Sequence, residues 1–93
     1  MRRLALLLAV MASPALAQSD RDRAGEMIAD SMIEGGFDAE ISTLVADCYT
    51  SRMTDAEVAA LVSAAGDVPA QQAIIAEMAE GEAALGCVAA ALQ

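Results

Sequence analysis

The sequence predicts an all-α fold: a small bundle of four or five short helices closed by one disulfide. Three observations carry this. Apolar residues recur at offsets of three and four along the chain, and no strand-like alternation runs long enough to compete. Helix start and stop signals (Asp38, Thr54, Gly35-Gly36, Gly66, Pro69) come at intervals that suit short helices. Two cysteines, Cys48 and Cys87, sit in a chain that opens with an export signal.

Residues 1–17 read as that signal. Met1-Arg2-Arg3 is a basic start, Leu4 to Met11 is an apolar run, Ser13-Pro14 breaks it, and Ala15-Leu16-Ala17 is an A-x-A-like cleavage site. A bilayer span needs about 20 apolar residues, so the run is too short to anchor the chain. The Arg2-Arg3 pair is not extended by twin-arginine residues, which leaves a cleaved Sec-type signal and a periplasmic or secreted product. Residues 18–93 then form a single helical domain. It holds three arginines against fourteen Asp and Glu, a net charge of −11, more acidic than the −9 of the whole chain.

The elements follow in order. Ser19, with Asp22 three residues on, is a candidate N-cap for a first helix. Ala24, Met27, Ile28, Met32 and Ile33 are its apolar positions, and Gly35-Gly36 ends it. Asp38 caps a second, in which Ile41, Leu44, Val45, Cys48 and Tyr49 fall at offsets 0, 3, 4, 7 and 8, the pattern of one buried face. Thr54-Asp55-Ala56-Glu57 is a capping box, flanked by Met53 and Val58 at the positions of a hydrophobic staple. Val58, Leu61, Val62 and Ala65 make the inner face of this third helix, which Gly66 stops. Pro69 suits the first turn of a fourth. Its seam of Ile74, Met78, Gly81, Leu85, Val88 and Leu92 fits one long helix, or two if Gly81 or Gly86 breaks it.

The cysteines read as a staple. A loop of roughly 40 residues, once closed, removes unfolded-state entropy worth roughly 4 kcal/mol. A chain this small gains only about 3–5 kcal/mol from its core alone, and eighteen of residues 18–93 are Ala. A redox pair favours closer spacing and a basic neighbour, whereas Asp47 and Tyr49 flank one cysteine and Gly86 and Val88 the other. Cys87 shares a small-residue face with Ala83, Ala84, Ala90 and Ala91, which favours a close approach by the second helix.

The composition narrows function by exclusion. There is no His and no Lys, so the commonest general base and metal ligand are missing, and no Ser or Thr has a basic activator. The sequence points to no enzyme, no catalytic residue, no cofactor and no metal site. Phosphate neutralisation would rest on three arginines, so no nucleic-acid partner is expected. An EF-hand started at Asp30 fails because Met32 occupies its third position. Glu77, Glu80 and Glu82, like Asp20 and Asp22, read as a solvated acidic face, and Met27, Met32, Met53 and Met78 as filler in an aromatic-poor core. What is left is a small exported acidic protein, a monomer or weak dimer with no membrane insertion after signal cleavage. Its expected role is a non-catalytic module for an unknown protein or peptide partner. The alternative is a periplasmic acid-stress or chaperone-like protein that responds to protonation of its carboxylates.

Overall fold

The structure, a computed structural model, describes residues 19–93. The signal at 1–17 therefore lies outside the described residues. Those described fold into five helices with no strand among them: α1 (19–34), α2 (Ala39–Thr50), α3 (Asp55–Ser63), α4 (Val68–Ala76) and α5 (Gly81–Ala91).

Local chemistry sets most of the helix ends. Ser19 is already helical, so it is not the cap its sequence context suggests; what precedes it lies outside the described residues. α1 ends in a Schellman turn. Gly36 sits at φ +97°, Phe37 N–H donates to Met32 O at 3.0 Å, and Gly36 N–H donates to Ile33 O at 3.0 Å. Asp38 caps α2 by accepting from the amides of Glu40 (3.0 Å) and Ile41 (3.4 Å). The capping box of α3 is complete. Glu57 N–H donates to Thr54 Oγ1 at 3.1 Å, and Thr54 N–H donates back to Glu57 Oε1 at 2.8 Å. Met53 and Val58 are both buried, as a staple requires. α4 has a cap in Asp67, which accepts from Ala70 N–H at 3.2 Å, and Pro69 stands in its first turn.

Ala24, Ile28, Ala46, Met53, Val58, Leu61, Met78 and Ala84 form the core, and Met27, Met32, Tyr49, Val62, Ile74 and Ile75 pack against it half-buried. The four methionines named above are thus part of the core or packed on it, where their flexible stems fill space between small neighbours. Leu61 and Val58 are the largest fully enclosed side chains, so α3 is the centre of the apolar packing.

Two helix faces depart from the sequence expectation. On α2 the buried column is Ser42, Ala46 and Thr50, with Cys48, while Ile41 is exposed and Leu44 and Val45 only half-buried. α1 lies against part of this side: a Cβ on Gly25 would sit at ordinary contact distance, 3.8 Å, from Thr50 Cγ2, and Gly25 and Ala29 line a shallow depression with Ala46 and Thr50. The buried hydroxyls cost little because each bonds back along its own helix, Ser42 Oγ to Asp38 O (2.8 Å) and Thr50 Oγ1 to Ala46 O (2.9 Å). On α5 only Ala84 is fully enclosed, and Leu85 and Leu92 are 60% and 56% exposed. A helix turns about 100° per residue. Once Cys87 faces α2, Ala84 falls within about 60° of it, whereas Leu85 lies about 160° away and Leu92 about 140°.

The long seam is two helices rather than one. α4 stops at Ala76, Met78 turns into the core, and α5 starts at Gly81. In a continuous helix the amide of Ala79 would bond to Ile75 O. Here it donates to Glu57 Oε2 at 3.0 Å, a partner on α3.

Candidate functional site

Three places on this scaffold hold chemistry worth weighing. The first is the sulfur pair. Cys48 projects from the buried side of α2, Cys87 from the half-buried side of α5, and they form the one disulfide among the described residues. Their Cα atoms are 5.7 Å apart, inside the usual range for a disulfide. Of the small face expected around Cys87, Ala84 is enclosed; Ala83, Ala90 and Ala91 remain exposed. The bond borders an open depression whose walls include Glu40, Leu44 and Asp47. No basic group is among its lining residues.

The second place is polar and structural. The Arg21 guanidinium, on the first described turn of α1, donates to Thr50 O, to Met53 O at 3.1 Å and to Asp55 Oδ1 at 2.8 Å. One side chain thereby satisfies the last carbonyl of α2 and one in the turn that follows it, and ties α1 to the start of α3. Arg52 adds bonds to Cys48 O (3.4 Å) and Ser51 Oγ (2.9 Å). These cations sit where the negative pole of the α2 dipole favours them. Glu57 is the matching device at the opposite sign. Its carboxylate accepts from the amides of Thr54 and Ala79, and these bonds, Thr54's first, hold its pKa below the ordinary value. Sequence reasoning found the Thr54 half of this arrangement. It missed Ala79, which is 22 positions away and brought in only by the turn after α4.

The third place is apolar. Ile33, Phe37 and Ile41 are 46%, 55% and 37% exposed, and they come from the last turn of α1, the connecting turn and the first turn of α2. They occupy the closed end of the α1–α2 hairpin, the end remote from Arg21 and Thr50. Sequence reasoning placed Ile33 and Ile41 on inner faces; the structure leaves both at the surface, beside the turn at Gly36 and on the outer side of α2.

No three Asp, Glu or Cys among the described residues converge as a metal-holding group, and no helix among them is long and apolar enough to cross a membrane. Glu77, Glu80 and Glu82 all lie exposed. In comparisons with known proteins, no family model, no curated protein and no solved structure matches this chain.

Proposed function

We propose that this chain is an exported, non-catalytic interaction module that holds a protein or peptide partner against its exposed apolar side chains. One observation carries the reading. The core is built largely from Ala, Met and single Ile, Val and Leu residues, while three of the six large hydrophobic side chains exposed among the described residues, Ile33, Phe37 and Ile41, fall within nine positions around the α1–α2 turn. A chain short of large apolar residues gains most by burying them, so three left exposed around one turn favour an interaction surface there. Export is supported by the pattern of residues 1–17 and by the Cys48–Cys87 bond, since disulfides persist in oxidising compartments.

Site-specific photo-crosslinking in the native cells tests it. A photoreactive residue at position 37 is expected to give one discrete adduct whose partner, once identified and purified, rebinds the protein. The same residue at exposed Ala65 serves as the control. Absence of an adduct at 37, or equal adducts at both positions, refutes the module.

Glu57 favours a second reading, an acid-responsive protein. Its two oxygens accept from Thr54 N–H and from Ala79 N–H in the turn between α4 and α5, and protonation puts a hydrogen on one of them, so acid weakens that junction. Protection of an aggregating client below pH 4, absent at pH 7, would support this reading over the first.

A further inference from the structure

The closed end of the α1–α2 hairpin carries charge as well as apolar surface. Asp30, Glu34, Asp38 and Glu40 all lie exposed, each within three positions of Ile33, Phe37 or Ile41 along the chain. From Ala24 to Ser51 the chain has six carboxylates and no Arg or Lys. The cations of residues 18–93 are all at the far end. Arg21 and Arg23 sit at the start of α1, and Arg52 follows the end of α2. Arg21 is thirteen residues from Glu34 along one helix, about 20 Å at 1.5 Å per residue. Charges are screened over about 8 Å at physiological ionic strength. The negative potential at the hairpin end is therefore not offset by the protein's own arginines.

Resting on the interaction reading above, we propose that this end docks a cationic amphipathic segment of another protein. Its apolar side chains cover Ile33, Phe37 and Ile41, and its flanking Lys or Arg side chains meet Glu34, Asp38 and Glu40. A second copy of the chain fits poorly, because it would set the same acids against themselves. An anionic lipid surface is repelled for the same reason. Rim charges of this kind act mainly on the rate of association and on the choice of partner, while the apolar centre holds the complex together.

The test uses the oxidised protein and two labelled synthetic helices with the same Leu face, one with Lys and one with Glu on its polar face. The Lys peptide is expected to bind at least about tenfold more tightly, with the preference shrinking as salt is raised. Amide shifts are expected at Ile33, Phe37 and Ile41. Phe37→Ser weakens both peptides. Glu34→Gln with Glu40→Gln removes most of the Lys preference and leaves Asp38, the α2 cap, in place. Circular dichroism and the intact disulfide report that each variant is folded. Equal binding of the two peptides overturns the charge assignment and leaves the interaction module standing. Binding of neither, or shifts that map to Leu85 and Leu92, overturns the docking site itself; the crosslinking experiment then decides the module separately. Self-association through Phe37 without peptide, or contacts from Phe37 to residues 1–17 in unprocessed chain, also overturns it, because the hairpin end then has another occupant.

Discussion

Removing the disulfide is the perturbation with the best-defined size. Cys48 and Cys87 are 39 positions apart, and closing a loop of that length lowers the entropy of the unfolded chain by about 13 cal/mol/K, about 4 kcal/mol at 25 °C. A domain of this size has a total stability of roughly 4–11 kcal/mol. The double variant Cys48→Ala, Cys87→Ala therefore loses between a third and nearly all of it. The loss should also be uneven. α5 encloses only Ala84, has no side-chain N-cap, and carries Leu85 and Leu92 in solvent, so it buries little large apolar surface and leans on the sulfur bridge more than the other helices do. α3, with Leu61 and Val58 enclosed, has its own hold on the core. Urea melts of the oxidised protein and the double variant give the total; with m near 1 kcal/mol/M the midpoint falls by about 4 M. Amide exchange gives the distribution, with residues 81–91 losing protection before those of α3. A loss under about 1 kcal/mol with α5 protection unchanged refutes the reasoning, since packing alone would then hold the last helix.

Other outcomes follow from the same contacts. Arg21→Met removes the donors to Thr50 O and Met53 O and should cost about 1–2 kcal/mol, whereas Asp55→Asn, which breaks only the exposed ion pair, should cost less than about 1 kcal/mol; thermal melts separate the two. Glu57 has a folded pKa below its ordinary value of 4.5, so its contribution is complete above that value and is lost as pH falls through the lower folded pKa. Glu57→Gln should flatten that acid limb of the stability curve and loosen Ala79, read as exchange at its amide. Gly36→Ala should destabilise by about 1 kcal/mol because φ +97° suits glycine, while Gly86→Ala, mid-helix with no atom near its added Cβ, should stabilise by roughly 0.5–1 kcal/mol. The reverse order in their melting temperatures would contradict the backbone assignment.

The legible parts of this chain are those decided within about four residues. The Thr54–Glu57 box, the Asp38 cap, the stop at Gly35-Gly36 and Pro69 in a first turn are all chemistry between near neighbours, so the residues announce them. The disulfide was legible for a different reason, because two cysteines allow only one intramolecular pairing. The hairpin-end patch was not legible. Ile33 and Ile41 fit inward-facing patterns perfectly well, and only the packing of α1 on α2 turns them outward.

By itself, then, the sequence determined the helical class, most helix boundaries and which two sulfurs join. The tertiary structure alone decided which faces of α2 and α5 are buried, and where the last helical stretch breaks. The physical reason is that periodicity marks a face by the size of its apolar residues, whereas close helix approach selects the smallest ones. Ser42, Ala46 and Thr50 took the buried side of α2 in place of Ile41, and the sulfur bridge put Ala84 inward at the expense of Leu85 and Leu92. At the break, a carboxylate 22 positions away claimed the amide of Ala79, a partner no local pattern could supply.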